Sequence, residues 1–263
     1  MRALRSICAC ALTMLASFVL SGRAAAQGAT AEAAPPPAAE AAADPCAAGK
    51  AQSPVEIVPE DTMHSSLLAP SPNYEPTGVV LWNTGKNLRV DFNPGTPAPP
   101  WKGNFIVLDG VRYDLVELHF HRPAEHAFDT MSPAPVMEVH LVHADSRGNL
   151  AVVGLPIALG ATTTPALEPL LKAIPRGPGD RALLPAAYNA GPLIPNRAVT
   201  AYRYPGSLTT PPYAECVRWT VLWHTLYISQ THFAAYKERF PGQYYRDTQP
   251  LNGRVLLRMS TRP

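Results

Sequence analysis

Two stretches of alternating side chains, separated by a short loop, constrain the fold of this chain more than any other part of the sequence. Residues Tyr113–His121 and Val136–His143 alternate apolar with polar side chains and contain Val, Phe and Tyr, a pattern typical of β-strands. Because successive strand side chains point to opposite faces, His119 and His121 share one face of the first strand, and His140 takes one face of the second. If the two strands are neighbours in one sheet, the three imidazoles converge on one point.

Three converging imidazoles with an open fourth position are typical of a catalytic zinc, whereas a structural zinc fills all four positions with protein ligands. Glu117 and Glu138 each precede a histidine by two residues and share its face, where a carboxylate can accept the second N–H of a metal-bound imidazole. Two histidines alone on a strand would more often form a half-exposed polar face, but the third histidine and the glutamates favour a metal. We therefore predict that His119, His121 and His140 bind Zn²⁺, with Glu117 and Glu138 as their hydrogen-bond acceptors.

Residues 1–44 are predicted to lie outside the folded domain. Residues 1–26 have the pattern of a secretory signal peptide, with an apolar run, Ile7–Leu20, followed by small residues at a cleavage site, Ala24–Ala26. An uncleaved anchor is the alternative, but the run is short for a membrane span. Residues 27–44 are rich in Ala, Pro and Glu without a hydrophobic period, which predicts a disordered tether. The protein is therefore expected to be periplasmic or secreted, with no membrane association after cleavage.

Residues 45–263 are predicted to form one domain that is mainly β with short helices. Helix patterns occur only at Thr164–Ile174 and Thr231–Phe240, and parallel strands joined by helices would need more of them. The net charge of +2 is too small to indicate a nucleic acid or an anionic membrane as a partner. Strand patterns recur at Gly78–Trp82, Leu88–Phe92, Phe105–Leu108, Tyr113–His121, Val136–His143, Leu150–Leu159, Cys216–Tyr227 and Val255–Met259.

Seven short motifs in collinear order, between Cys46 and Arg258, make this chain resemble the alpha-class carbonic anhydrases. They are Glu-Leu-His-Phe-His at 117–121, Glu125-His126, Glu-Val-His-Leu-Val-His at 138–143, Gln52-Ser53-Pro54, Asn83-Thr84-Gly85, Tyr-Pro-Gly-Ser-Leu-Thr-Thr-Pro-Pro at 204–212, and Gln-Pro-Leu-Asn-Gly-Arg at 249–254. The resemblance implies a large, twisted, mostly antiparallel central sheet of about ten strands. It also implies reversible hydration of carbon dioxide to bicarbonate and a proton by a zinc-bound hydroxide, and inhibition by sulfonamides and anions.

The resemblance further assigns roles to residues outside the histidine cluster. Thr209 matches the threonine that accepts a hydrogen bond from the zinc-bound hydroxide and donates one to a glutamate, here Glu125. From the residues alone, Thr209 would be a turn residue and Glu125 a solvated loop carboxylate. Residues that match the apolar carbon dioxide pocket, and that would otherwise be ordinary core, are Val142, Val152, Leu208 and Trp219. Thr210 matches a position near bound bicarbonate, and His126 and His143 match histidines with structural hydrogen bonds.

Two positions depart from the family pattern. Glu117 stands where a glutamine more commonly supports the first zinc histidine, and Lys86 stands at the position of the proton-shuttling histidine of the fastest members. A histidine suits proton transfer because its pKa of about 6.5 lies near that of the zinc-bound water, whereas a solvated lysine, with a pKa of about 10.4, is already protonated at neutral pH. We therefore predict that proton transfer limits turnover.

The sequence leaves three questions open. Cys46 and Cys216 would remain after signal cleavage and could pair in an oxidising compartment. However, relatives with this bridge place the second cysteine where Tyr213 stands, so a free thiol at Cys216 is equally compatible with the sequence. Alternative functions are a non-catalytic binding module of the same fold and a zinc esterase. The sequence does not indicate an oligomeric state.

Overall fold

The computed structural model describes residues 46–93, 103–195 and 197–260. The predicted signal peptide and tether lie outside these residues. The strands within the described ranges are β1 (Glu56–Ile57), β2 (Met63–Leu68), β3 (Ser71–Asn73), β4 (Val79–Asn83), β5 (Leu88–Phe92), β6 (Phe105–Leu108), β7 (Val111–His121), β8 (Ala127–Phe128), β9 (Pro135–Ala144), β10 (Leu150–Gly160), β11 (Arg181–Leu183), β12 (Thr200–Gly206), β13 (Val217–Leu222), β14 (Leu226–Ser229) and β15 (Leu257–Ser260). The helices there are α1 (Glu168–Lys172), α2 (Gln230–Arg239), and the 3₁₀ turns Pro59–Asp61 and Gly191–Leu193.

Thirteen of these strands form one large sheet in the described part of the chain. Ten of them follow the order β11–β4–β5–β7–β9–β10–β13–β12–β15–β2, while β14 pairs with β10, and β6 joins β3 to β7. Most neighbouring pairs are antiparallel, and the pairs β10–β13, β10–β14 and β15–β2 are parallel. The prediction of a mainly β protein around a mostly antiparallel sheet is confirmed. Neither helix within the described ranges has the length and apolar character that a membrane crossing requires.

The three central strands β7, β9 and β10 hold the two histidine stretches in fixed register. His119 lies directly opposite His140 across β7 and β9, and His140 lies opposite Gly154 across β9 and β10. Alternation sends Leu118 and Leu141 to the other face of the sheet, where both are fully buried in the larger apolar core. A second, smaller apolar cluster includes Val142, which shares the histidine face of β9 with His140. Apolar packing on both faces therefore fixes the register that brings the histidines together.

The structure corrects two predicted elements. The run Cys216–Tyr227 is not one strand: β13 pairs with the first half of β10, and after a bend at residues 223–225 the chain resumes as β14 beside the second half. The helix predicted over Thr164–Ile174 is limited to α1, because Thr164 is engaged elsewhere. Its backbone N–H donates to the carbonyl of Tyr227, and its hydroxyl accepts from the N–H of Tyr227.

Candidate metal centre

Three histidine side chains converge on the face of the sheet at the junction of β7 and β9. Taking one ligand nitrogen from each ring, the three nitrogens lie within 4.8 Å of one another. The ring centroids are 4.8 Å apart for His119 and His121, 4.6 Å for His121 and His140, and 5.3 Å for His119 and His140. The side chains of His121 and His140 are each 1% exposed, whereas that of His119 is 18% exposed. The centre is therefore reached from solvent on the side of His119.

The hydrogen bonds of the three rings determine which nitrogens face the centre. His119 Nδ1 donates to Glu117 at 2.8 Å from Oε1 and 3.0 Å from Oε2, and His140 Nε2 donates to Glu138 Oε1 at 3.0 Å. His121 Nδ1 donates to the carbonyl of Tyr244 at 3.1 Å. The nitrogens left over are Nε2 of His119, Nε2 of His121 and Nδ1 of His140. This arrangement matches the oriented imidazoles of a three-histidine zinc site.

The orphaned nitrogen of His121 tests whether these residues fit a metal. His121 Nε2 is buried and has no hydrogen-bond partner. Burying a polar nitrogen without a partner costs about 1–3 kcal/mol, so such groups are rare and call for an explanation. A cation bound between the three nitrogens would satisfy this atom. Three neutral nitrogen donors are also the donor set that zinc prefers.

Burial and the neighbouring glutamates shift the pKa values of His119 and His140 in opposite directions. Desolvation lowers the pKa of His140 to about 4, despite the opposing effect of Glu138, so its ring is neutral at neutral pH. Desolvation also acts on His119, but the adjacent Glu117 carboxylate outweighs it and raises the pKa of that histidine. For the carboxyl of Glu138, desolvation is outweighed by His126 and His140, which hold its pKa well below its usual value.

The carboxylate of Glu138 accepts hydrogen bonds from several residues behind the metal-site histidines. It is fully buried, and its carboxylate accepts four bonds. Oε2 accepts from the backbone N–H groups of Glu125 and His126, both at 2.9 Å, and Oε1 accepts from His126 Nδ1 at 2.7 Å and from His140. His126, Glu138 and His140 form a second group with metal-ligand spacing, but their atoms already bond to one another. A Cβ on Gly154 would lie 2.9 Å from Glu138 Oε1, so only glycine leaves room for this carboxylate.

The structure places Glu125 beside His121 and the Thr209 hydroxyl beside Glu125. Glu125 is 3% exposed, which excludes the solvated-loop interpretation, and its Oε1 accepts from the backbone N–H of Arg246 at 2.9 Å. Its Oε2 is buried without a completed hydrogen bond. Burial opposes ionisation, but His121, His140 and the Thr209 hydroxyl together lower the pKa of Glu125 below its usual value. Glu125 is therefore an ionised acceptor close to the Thr209 hydroxyl.

An apolar wall adjoins the histidines. Val142, Val152 and Trp219 lie directly opposite one another across β9, β10 and β13, one row from His140. All three belong to the smaller apolar cluster, against which the partly buried Leu208 packs. The Trp219 ring meets the His140 ring edge-on, with centroids 4.8 Å apart, and its Nε1 donates to the carbonyl of Ser207 at 2.9 Å. The four residues predicted for a substrate pocket thus share one cluster beside the site.

The remaining predicted residues have contacts outside the histidine cluster. Lys86 is exposed in the turn between β4 and β5, with Nζ 5.3 Å from the ring centroid of Tyr244. Thr210 is half-buried, and its carbonyl accepts from the N–H of Tyr213 at 2.9 Å. Cys46 and Cys216 are joined by a disulfide, with Cα atoms 5.3 Å apart. Of the two alternatives that the sequence left open, the structure therefore has the bonded one.

Sequence reasoning missed two residues that support the site. Tyr244 acts through its backbone carbonyl, for which no side-chain pattern gives a signal, and its ring stacks on His121. Arg246 presents its N–H to Glu125 and donates from Nη1 to Gln52 Oε1 and to the carbonyl of Ser53, both at 2.8 Å. The Gln52-Ser53-Pro54 motif could have indicated this contact. A family motif so far from the histidines in sequence suggests a structural link to them.

His143 lies on the face of β9 opposite His140, away from the centre. Its Nδ1 donates to the carbonyl of Ala151 at 3.2 Å, and its Nε2 accepts from the hydroxyl of Tyr74 at 2.6 Å. Burial lowers the pKa of His143 to about 4, so this ring is also neutral. His126 Nε2 bonds to the hydroxyl of Tyr204 at 2.7 Å. Both histidines therefore have protein partners on both nitrogens.

Comparisons with known proteins cover the domain that contains this site. A family model described as eukaryotic-type carbonic anhydrase matches residues 38–260. A carbonic anhydrase of Nostoc sp. is 33% identical over 218 residues, covering 81% of this chain and 77% of that protein. One of Neisseria gonorrhoeae is 32% identical over 212 residues, covering 81% of this chain and 79% of that protein.

The fold also matches solved structures. The alpha-carbonic anhydrase of Thermovibrio ammonificans, in complex with the inhibitor sulfanilamide, superposes with a TM-score of 0.72 at 32% identity, covering 80% of this chain and 87% of that one. The family resemblance inferred from the motifs is thus confirmed. The chain belongs to the eukaryotic-type, alpha-class family and is a carbonic anhydrase.

Proposed function

We propose that this protein hydrates carbon dioxide reversibly to bicarbonate and a proton at a zinc ion held by His119, His121 and His140. The observation that carries the proposal is the buried, unpartnered Nε2 of His121, in a group of three histidines that offer one ligand atom each within 4.8 Å of one another. When bound there, zinc would lower the pKa of a coordinated water to about 7, a value for which carbonic anhydrases are themselves the reference case.

Thr209 and Glu125 are proposed to orient the reacting water. Glu125 is buried and ionised, so it can only accept hydrogen bonds, and its Oε2 has a vacant lone pair. A threonine hydroxyl has one proton, and donating it to Glu125 leaves its oxygen to accept from the water. The water then presents a lone pair to the substrate carbon. Fixed hydrogen bonds of this kind stabilise a transition state because they need no reorganisation during the reaction.

The apolar wall is proposed to receive carbon dioxide. Transfer of a small apolar molecule from water to an apolar surface is favourable, whereas polar groups at the same place would bind water there. Val142, Val152, Leu208 and Trp219 provide such a surface next to His140. Thr210 follows Thr209 in the chain and is proposed to contact the bicarbonate product.

We propose that the mature protein is periplasmic or secreted. The apolar run Ile7–Leu20 with its small-residue cleavage site supports export. The Cys46–Cys216 disulfide supports an oxidising compartment, because such bonds are rare in reducing cytosol. Inhibition by sulfonamides is also proposed, with support from the sulfanilamide complex of the Thermovibrio ammonificans relative.

Replacing Thr209 tests the proposed mechanism. Thr209→Ala is expected to retain zinc and to lose on the order of a hundredfold in carbon dioxide hydration rate, because a positioned transition-state hydrogen bond is removed. Thr209→Ser keeps the hydroxyl and is the matched control, expected to retain most of the activity. Unchanged kinetics in Thr209→Ala would reduce Thr209 to a turn residue. Loss of zinc together with activity would show a structural role instead.

A further inference from the structure

The side chain of Tyr244 covers a metal-site histidine in addition to the hydrogen bond from its backbone. Its ring lies nearly parallel to the His121 imidazole, with an interplanar angle of 13° and centroids 5.5 Å apart. The carbonyl of the same residue accepts from His121 Nδ1. His121 is therefore restrained by one residue in two ways, in the plane of the ring by a hydrogen bond and across its face by stacking.

The segment that carries Tyr244 is tied to the residue that follows His121. The N–H of Tyr244 donates to the carbonyl of Arg122 at 2.9 Å. Arg122 Nη2 in turn donates to three carbonyls at the end of α2: those of Phe240 at 3.1 Å, Pro241 at 3.0 Å and Gly242 at 2.6 Å. A cation at the carboxyl end of a helix is electrostatically favourable. These bonds hold the backbone of Tyr244 in place beside β7.

Lys86 restrains the ring of Tyr244 from a different loop. Its ammonium lies over that ring, 5.3 Å from the centroid, within the distance at which cations attract aromatic faces. The Lys86 backbone is fixed in turn, because its N–H donates to the hydroxyl of Thr84 at 3.2 Å. The residue at the proton-shuttle position thus contacts an aromatic ring that is itself stacked on a metal-site histidine.

We propose that Tyr244 is a positioning residue whose ring, held by Lys86, keeps the His121 imidazole in its metal-binding orientation and slows the release of zinc. The inference rests on the zinc site of the proposed function. It gives Lys86 a role other than proton transfer. Replacing a residue that orients a metal ligand commonly changes metal affinity by about 10–100-fold. We expect an effect of this order when the ring of Tyr244 is removed.

The test is the rate at which zinc-loaded protein loses zinc to an excess of the chelator dipicolinate. Tyr244→Ala is expected to release zinc about tenfold faster than the natural protein, and Tyr244→Phe, which keeps the ring, within about twofold of it. Lys86→Met is expected to be several-fold faster, on the order of an exposed cation–π contact. Tyr245→Ala is the matched control, because this neighbouring ring is 44% exposed, and no change is expected. The melting temperature of each zinc-free variant is measured alongside, so that faster zinc release is distinguished from a destabilised fold.

Each outcome bears on the inference. Equal release rates for the natural protein and Tyr244→Ala would overturn it while leaving carbon dioxide hydration intact. Faster release in Tyr244→Phe as well would also overturn it, because the ring would not be the cause. If Tyr244→Ala does not fold, Lys86→Met decides, and an unchanged rate there overturns the inference. A protein that holds zinc with these rates but does not hydrate carbon dioxide would refute the proposed function alone.

Discussion

Replacing Glu138 by glutamine is expected to destabilise the protein strongly, although the two side chains have the same shape. The carboxylate is fully buried and accepts four hydrogen bonds, two on each oxygen. An amide has only one accepting oxygen, and its NH₂ group would face two donors in either orientation. Two bonds to a charged acceptor are therefore lost, whichever way the glutamine is placed.

The magnitude follows from those two bonds. Hydrogen bonds to charged groups contribute about 1.5–3 kcal/mol each, so the loss in the free energy of unfolding is about 3–6 kcal/mol. Domains are typically stable by about 5–15 kcal/mol in total, so this loss is large. The His140 ring could regain a bond by moving its proton from Nε2 to Nδ1, but Nδ1 is the nitrogen that faces the metal centre. A proton shift that restored this hydrogen bond would therefore oppose metal binding.

The assay is urea unfolding of the zinc-free variants, followed by the zinc content of the refolded protein. Glu117→Gln is the matched control, because both oxygens of Glu117 receive the same proton from His119 and a glutamine oxygen can replace them. Its expected change is below about 1 kcal/mol. If Glu138→Gln unfolds at the same urea concentration as Glu117→Gln and retains zinc equally, the reasoning on the buried carboxylate is wrong.

Three further predictions concern other parts of the structure. Gly154→Ala should lower both the melting temperature and zinc retention, since its Cβ would meet Glu138, whereas Gly78→Ala, whose Cβ would meet nothing within 4 Å, should be neutral in both measurements. With excess zinc, Lys86→His should raise kcat in weak buffer, and imidazole buffer should raise kcat of the natural protein, with kcat/KM unchanged; indifference of kcat to both would mean that another group carries the proton. Because burial lowers the pKa of His143 from 6.5 to about 4, the unfolded chain binds the proton first, and stability should fall by up to about 3 kcal/mol as the pH drops from 6.5 to 4. His143→Gln should show a shallower fall in melting temperature between pH 6.5 and 4. A slope equal to that of the natural protein would mean that other groups cause the pH dependence of stability.

The sequence predicted the histidine cluster because strand geometry leaves few alternatives. Side chains of a strand alternate faces, so His119 and His121 had to share one face. The apolar residues that alternate with them, Leu118 and Phe120, required the opposite face to be buried. Strand β12 was not predicted, because its sequence ends in Pro205-Gly206, a pair typical of a turn. The helix over Thr164–Ile174 was predicted too long. Helix propensity depends on the local sequence and does not reflect the hydrogen bond between Thr164 and the distant Tyr227.

The support around the cluster depends on contacts between distant parts of the chain. The need for glycine at position 154 follows only from the place of the Glu138 carboxylate one strand away. The contribution of Tyr244 comes partly from a backbone carbonyl, which every residue type provides. The Cys46–Cys216 bond joins residues 170 positions apart, and spacing alone could not distinguish it from a free thiol.

The role of the three histidines is tested by the carbon dioxide hydration rate of metal-free protein titrated with zinc. Activity should rise in proportion to added zinc, stop at one equivalent per chain and be abolished by a sulfonamide. His140→Ala, which removes one of the three converging nitrogens, should show no such rise. Hydration that is independent of zinc, or full activity in His140→Ala, would contradict the claim that His119, His121 and His140 hold the catalytic metal.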